Sequence, residues 1–320
     1  MIDGCGRQID HLRLSLTNRC NLGCRYCAPE DGRIASQSLD PDFALALVRW
    51  LVERHGIRHV RLTGGEPLLY PGLLPLIRGL TQIEALHELT LTTNGQALAA
   101  QAQSLRDAGL ARINISLDTL DPERFSYLTR GGKIAHTLRG VEEAVACGLT
   151  PVKINVVVQR GLNDGEIADI AQWGLSRGCV VRFLEVMPIG HLFHVARTHL
   201  VRAEEILAAL ERRFTLRALP SRPGQPATDY MATGDGVEGV IGVIAPTTRP
   251  FCPECRRLRV TAQGGVVTCL HDANPVDLRA CWDGRRLDTV RADELLLAAV
   301  QNKALWGAPK QSISMQCVGG

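Results

Sequence analysis

The chain has 320 residues, 45% of them hydrophobic and 22% charged, and its formal net charge of +3 is a small excess. That composition belongs to an ordinary soluble globular protein, long enough for one large α/β unit with an appendage or for two domains, and it gives no global argument for nucleic acid. The opening residues Met1-Ile2-Asp3-Gly4-Cys5 lack the basic start and apolar run of a signal peptide, and no uncharged apolar stretch approaches the roughly 18 residues of a membrane helix, so no membrane partner and a cytoplasmic location are expected.

From His11 to about Phe214, short apolar strands alternate with helical patterns. Strands are expected over 12–17, 60–63, 88–92, 112–116, 152–158 and 180–186. They are rich in β-branched residues and bounded by Gly, Asn, Asp or Pro, as buried parallel strands are. Helices are expected over 42–55, 96–108, 134–147 and 164–177. Asp40-Pro41 and Asp121-Pro122 each place a capping carboxylate before a proline at the first helical position. This succession predicts a parallel α/β fold, either an open barrel or a doubly wound sheet. The period changes after about Leu219. Residues 220–228 are rich in Pro, Ser and Gly and read as a linker, followed by short strands over 240–244, 257–261 and 266–269 and a helix over 292–303. This last part is too irregular to continue a barrel and is expected to form a small cap, dividing the chain into 1–219 and 220–320.

In a reducing compartment, clustered cysteines are more often metal ligands or catalytic thiols than disulfides. Of the 11 cysteines, Cys20, Cys24 and Cys27 form one triplet and Cys252, Cys255 and Cys269 another, while the isolated Cys147 and Cys179 read as core filling. The first triplet directly follows the first strand. Three thiolates can hold three irons of a cubane 4Fe-4S cluster and leave the fourth iron open, whereas electron-transfer clusters mostly use four cysteines. An open iron makes sense where a cofactor must bind the metal, as S-adenosylmethionine (SAM) can through its amino and carboxylate groups. Zinc commonly takes four protein ligands, and only His11, on the preceding strand, is near in sequence. After the second strand comes Thr63-Gly64-Gly65-Glu66-Pro67. Its glycines let the backbone approach a ligand, and Glu66 can receive an ammonium. Both motifs occupy strand–helix loops, where barrel enzymes carry their active sites.

These residues resemble the radical SAM superfamily. The resemblance implies a partial (β/α)6 TIM-type barrel with a 4Fe-4S cluster on Cys20, Cys24 and Cys27, and Tyr26 at the aromatic position before the last cysteine of the triplet.

In the second triplet, His271 lies two residues beyond Cys269 and could complete a zinc site, so spacing alone leaves zinc and a second iron–sulfur cluster both open. Arg256, Arg257 and Arg259 sit between the cysteines, and strand alternation puts Arg257 and Arg259 on one face, where two forked guanidiniums suit a phosphate chain. Together with Thr92-Thr93-Asn94-Gly95, Ser116-Leu117-Asp118, Lys153-Ile154-Asn155 and the terminal Gly319-Gly320, the chain resembles the GTP 3′,8-cyclase family of molybdenum-cofactor biosynthesis from about Leu12 onward.

That resemblance implies a second 4Fe-4S cluster in the C-terminal cap, held by Cys252, Cys255 and Cys269, with the guanine of GTP at its open iron. It makes Arg257, Arg259, Gly319 and Gly320 the expected catalytic residues. Arg13, Arg61, Thr92, Lys153, Arg257, Leu258 and Arg259 would contact GTP, and Tyr26, Gly65, Ser116 and Met187 would contact SAM. The implied reaction takes hydrogen from C3′ of GTP with a 5′-deoxyadenosyl radical and joins C3′ to C8. The implied partners are a flavodoxin- or ferredoxin-type electron donor and a downstream cyclic pyranopterin monophosphate synthase, around a monomer or homodimer. Tyr70-Pro71, His59, Asn18 and Ala28 depart from frequent family residues. The rival readings are a peptide-modifying radical SAM enzyme with an auxiliary cluster and a non-catalytic, zinc-stabilised binding module.

Overall fold

The computed structural model describes residues 1–28, 36–194, 196–221, 224–272 and 274–307. Its strands are β1 (His11–Ser15), β2 (His59–Thr63), β3 (Glu88–Thr93), β4 (Arg112–Ser116), β5 (Lys153–Val158), β6 (Val180–Glu185), β7 (Thr215–Ala218), β8 (Thr228–Gly234), β9 (Val237–Ile244), β10 (Arg257–Val260), β11 (Gly265–Val267) and β12 (Val276–Asp277). Its helices are α1 (Pro41–His55), α2 (Leu73–Thr81), α3 (Ala102–Asp107), α4 (Pro122–Thr129), α5 (Ile134–Ala146), α6 (Ile167–Leu175), α7 (Ala196–His199), α8 (Ala203–Glu211) and α9 (Thr289–Gln301).

Successive side chains of a strand point to opposite faces. In β1, Leu12 and Leu14 go one way and His11, Arg13 and Ser15 the other. The pairings Leu12↔Val60, Leu14↔Leu62 and Leu62↔Leu91 carry one apolar face from strand to strand. With Ile113, Ile115, Ile154, Val156, Val181 and Phe183, these residues form the buried core that Phe43, Leu47 and Leu51 of α1 and Ile77 and Leu80 of α2 complete. The opposite face pairs Arg259↔Arg13, Arg13↔Arg61, Arg61↔Thr90, Thr90↔Arg112 and Asn114↔Lys153. Parallel strands covered by helices on both faces are apolar on both. Here one face is polar along its whole width, as the lining of a ligand chamber would be.

Strands β1 to β6 lie side by side in chain order and pair in parallel, giving the expected open α/β sheet. The C-terminal part does not stand off from that sheet. Strand β10 pairs in parallel with β1 at one edge and β9 in parallel with β6 at the other, so the sheet has 12 strands in the order β12-β11-β10-β1-β2-β3-β4-β5-β6-β9-β8-β7. The reason is local: Leu258 and Val260 extend the apolar face of β1 while Arg257 and Arg259 extend its polar face. The two proline-led helices start as expected, with Asp40 accepting from the Phe43 backbone N–H at 2.8 Å and Asp121 from that of Arg124 at 2.7 Å. The helix expected over 96–108 is regular only from Ala102, and the one expected over 164–177 splits into a short 3-10 turn and α6.

Glu185, 2% exposed at the end of β6, ties three segments together. Its carboxylate accepts from the backbone N–H groups of Ala203 at 2.9 Å, Thr247 at 3.0 Å and Thr248 at 2.9 Å. Glu185→Ala leaves the buried Ala203 N–H, and the half-buried donors of Thr247 and Thr248, without this partner. A loss of about 3 kcal/mol is expected, read from the urea midpoint, and a shift below about 1 kcal/mol would show that this node is dispensable.

Candidate active site

The first cysteine triplet is built on the loop that leaves β1. The backbone N–H groups of Cys27 and Ala28 both donate to the Cys24 carbonyl at 2.9 Å, curling the loop into one turn. The Leu22 N–H and the Asn94 Nδ2 group reach the Cys20 sulfur at 3.4 and 3.7 Å. Burial, then the neighbouring Cys27, Asp118 and Cys20, push the Cys24 thiol well above its ordinary range. Coordination to a metal cluster offsets that penalty by holding the sulfur as thiolate.

The Gly-Gly-Glu turn supports this loop in a way the sequence reading did not anticipate. A Cβ on Gly64 would lie 2.2 Å from the Thr17 carbonyl oxygen, and one on Gly65 would lie 2.2 Å from that of Arg19. Both glycines therefore make room for the cysteine loop, and the Gly65 and Glu66 N–H groups bond it through Thr17 O at 2.6 Å and Arg19 O at 2.7 Å. The sequence suggested that Glu66 can receive an ammonium; in the structure its carboxylate, 0% exposed, accepts from Thr93 Oγ1 at 2.6 Å, Asn94 N at 2.8 Å and Leu68 N at 3.0 Å. Burial pushes it up to about 7 against those donors. Glu66 is thus the strut joining the ends of β2 and β3 beneath the cysteine loop.

The register places the second triplet at the other end of the barrel. Arg257 lies level with His11 at the start of β1, so Cys255 sits at the N-terminal end of the strands and Cys20 beyond their C-terminal end. The two loops are separated by more than the length of β1, about 13 Å. Between them the polar face carries Arg13, Arg61, Arg112, Lys153, Arg182, Arg257 and Arg259, with Glu88 and Asp229 as the acidic groups. Burial, then Arg259 and Arg257, hold Arg13 well below its ordinary value. Burial, then Arg257, brings Arg259 down to about 9, and burial, then Arg182 and Arg112, brings Lys153 down to about 7. Guanidiniums crowded this closely call for a polyanion. Ser15 Oγ, Asn114 Oδ1, Arg112 Nη1 and Arg182 Nε on the same face are buried without a hydrogen-bond partner among the described residues.

At the second triplet, Arg257 Nη2 donates to the Cys255 sulfur at 3.6 Å and stacks 4.6 Å over the Phe251 ring. Lys303 Nζ donates to the same sulfur at 3.7 Å. Burial alone would raise the Cys255 thiol, but Arg257 and Lys303 outweigh it and bring it down to about 6. Among the described residues, only Asp10, His11 and His59 bring three ligand atoms within 4.8 Å of one another. Neither triplet brings its three sulfurs within that distance, whereas tetrahedral zinc sets them roughly 3.8 Å apart. Three sulfurs held further apart, with N–H donors and cations on them, fit a cubane cluster.

The other predicted residues divide by face. Thr92 and Ser116 lie on the polar face, Thr92 accepting from Asn114 Nδ2 at 3.3 Å and Ser116 level with Asn155. Leu258 points the opposite way, its side chain fully buried in the core. Tyr26 packs beside Val186 and hydrogen-bonds Asp118, whose carboxyl burial raises to about 6. Met187 packs with Ile189 and Leu270. Gly319 and Gly320 lie outside the described residues. Cys179 is core filling, as is Cys281. Of the departures from family residues, Tyr70 is a core residue whose hydroxyl donates to Leu39 O at 2.7 Å, and the Asn18 side chain accepts from Gln37 N at 2.7 Å. Sequence reasoning missed Arg112, Arg182 and Lys303. For Arg182 the signal was present, a lone cation alternating inside the apolar run Val180-Val181-Arg182-Phe183-Leu184.

Both parts of the chain are similar to known proteins. A family model described as the radical SAM superfamily matches residues 14–174, and one described as Molybdenum Cofactor Synthesis C matches residues 179–306. A protein of Streptomyces coelicolor named GTP 3′,8-cyclase is 42% identical over 312 residues, covering 96% of this chain and 89% of that protein. One of the same name from Moorella thermoacetica is 42% identical over 283 residues, covering 87% of this chain and 86% of its own. Among solved structures, Streptococcus suis SuiB bound to S-adenosylmethionine superposes with a TM-score of 0.64 at 14% identity, over 92% of this chain and 68% of that one, a likeness of fold.

The strut role of Glu66 is testable. Glu66→Gln exchanges one acceptor oxygen for an amide that opposes the donors around it. A stability loss of about 2 kcal/mol and poorer iron retention at the first triplet are expected, measured by urea denaturation and by iron analysis of a chain lacking the second triplet. Unaltered iron retention would contradict the strut role.

Proposed function

The chain belongs to the GTP 3′,8-cyclase family of the radical SAM superfamily, and from that premise we propose that it converts GTP into 3′,8-cyclo-7,8-dihydro-GTP for molybdenum-cofactor biosynthesis. The observation that carries this reading is the cationic barrel wall between two separate cysteine triplets. Cys20, Cys24 and Cys27 would hold one 4Fe-4S cluster with SAM, and Cys252, Cys255 and Cys269 a second. The chemistry that the first cluster and SAM supply is one-electron cleavage of the sulfonium, yielding the radical that takes hydrogen from C3′.

The protein's own part is orientation, exclusion of water and charge. Arg13, Arg61, Lys153, Arg257 and Arg259 would hold the triphosphate, using guanidinium forks where bidentate contact matters. Thr92 would add a hydroxyl on the same face. Tyr26, with its phenol fixed by Asp118, would back the SAM site together with Gly65, Ser116 and Met187. Gly319 and Gly320 would act from the chain end. The side chain of Leu258 is excluded from substrate by its burial, which leaves its main chain as the only means of contact. The division into 1–219 and 220–320 is retained here as a functional one, with SAM chemistry in the first part and base recognition in the second. A small flavodoxin- or ferredoxin-type donor, a downstream cyclic pyranopterin monophosphate synthase, a monomer or homodimer and a cytoplasmic location complete the proposal. No helix among the described residues is long and apolar enough to cross a membrane.

The deciding experiment is anaerobic reconstitution followed by iron and sulfide analysis and incubation with SAM, GTP and dithionite. About eight irons per chain, with 5′-deoxyadenosine forming only when GTP is present, is the expected result. About four irons with one zinc, and SAM cleavage indifferent to GTP, would overturn the cyclase reading. Arg257→Ala should weaken GTP binding at least tenfold, about 1.4 kcal/mol, while SAM cleavage by dithionite persists once GTP is raised to saturation.

A pH dependence follows from Lys153. Burial and the neighbouring Arg182 and Arg112 lower its ammonium to about 7, and a bound triphosphate favours the charged form. Binding therefore takes up a proton above pH 7, so GTP affinity should fall as pH rises from about 7 to 9, by at most about tenfold per unit. Calorimetric titration across that range should show the slope in the native chain and a flatter one in Lys153→Met.

A further inference from the structure

Helix α9 ends at Gln301, and the next turn sends Lys303 inward rather than out to solvent. Lys303 is 3% exposed. Its ammonium donates to the Arg257 carbonyl oxygen at 2.6 Å and to that of Thr268, and reaches the Cys255 sulfur at 3.7 Å. Those two carbonyls flank Cys255 and Cys269 in sequence, so one side chain braces two arms of the second triplet. Burying an ammonium against neutral carbonyls is expensive unless an anion shares the site. Arg7 and Arg257 repel it, and the Cys255 and Cys269 sulfurs are the groups that attract it.

The same segment is fixed from its other side. Arg7, ion-paired with Asp3 at 2.7 Å, donates to the carbonyl oxygens of Lys303 at 3.3 Å, Ala304 at 2.9 Å and Leu305 at 3.1 Å. It also donates to that of Cys252 at 2.8 Å. A Cβ on Gly307 would come within 2.8 Å of the Cys269 sulfur, so the chain crosses directly over the Cys269 arm. Residues 303–307 thus touch the surroundings of every cysteine in this triplet.

We propose that Lys303 is a positioning residue of the second cluster site, bracing the Cys255 and Cys269 arms at cluster spacing and placing a fixed positive charge that makes the cluster there easier to reduce. The proposal rests on the reading of that triplet as 4Fe-4S ligands. Net charge and hydrogen bonds to the sulfurs are the levers by which a protein sets such a potential. An electron added to a cluster is stabilised by an ammonium 3.7 Å from its ligand sulfur.

The test uses the full-length chain with Cys20, Cys24 and Cys27 replaced by Ala, so that only the second site takes iron. Its one-electron reduction by dithionite is followed by electron paramagnetic resonance against mediators. Lys303→Met, of similar length and no charge, should shift the midpoint to more negative potential, and Lys303→Arg should return it towards the parent value. A Met variant with full iron and an unshifted midpoint overturns the proposal. Where the Met variant loads less iron, recovery of iron and midpoint by the Arg variant supports it, and failure to recover either, with native circular dichroism, overturns it. A parent that takes zinc and no iron at this triplet overturns the cyclase reading and this proposal with it, and metal analysis of the parent separates that result from a silent Lys303.

Discussion

Like charges held in register on adjacent strands repel one another, and the rest of the molecule is arranged around that repulsion. Arg259, Arg13 and Arg61 stand level on three neighbouring strands, with Arg257 alongside. In water such groups would spread apart, but here strand pairing fixes their backbones. The opposite face of those strands, Leu12, Leu14, Val60, Leu62, Leu258 and Val260, is almost wholly buried, and its apolar burial offsets the cost. A barrel holding these cations without a polyanion is accordingly less stable than its core would allow, and a polyanion bound on this face would stabilise the fold by mass action. Recognition of such a ligand would then draw on the same residues as stability.

The two cysteine loops are supported by opposite means. The first rests on a buried carboxyl: Glu66 accepts three hydrogen bonds, and the backbone N–H groups of Gly65 and Glu66 hold the loop at Thr17 and Arg19. The second rests on cations, because Arg257 and Lys303 reach the Cys255 sulfur directly. Cations on the sulfur lower the electron density a thiolate gives to iron, and N–H donors do so more gently. The two sites consequently offer different electronic environments at either end of one polar sheet face.

How much of this was legible in the sequence depends on the range of the interaction. Strands β1 to β6 were, because alternation and turn residues are local signals. Both cysteine triplets stand out as groups, because their members are near in sequence. Strand β10 was read as part of an appendage, since four residues after a Pro- and Gly-rich stretch carry no sign that their neighbour in space is β1. A carboxylate after two glycines looks available to a ligand, and only the fold reveals Thr93 and Asn94 converging on Glu66. Lys303 follows a helix end, where a basic residue ordinarily serves the last carbonyls in solvent. Nothing short of the tertiary structure brings it to Cys255.

The contact between Arg7 and residues 303–305 spans nearly the whole described chain. Contacts so distant in sequence close late in folding. During synthesis, the pocket around Cys252, Cys255 and Cys269 lacks its brace until α9 and the turn after it have left the ribosome. A chain broken off before α9 would leave those three cysteines without the contacts that Lys303 and Arg7 make around them.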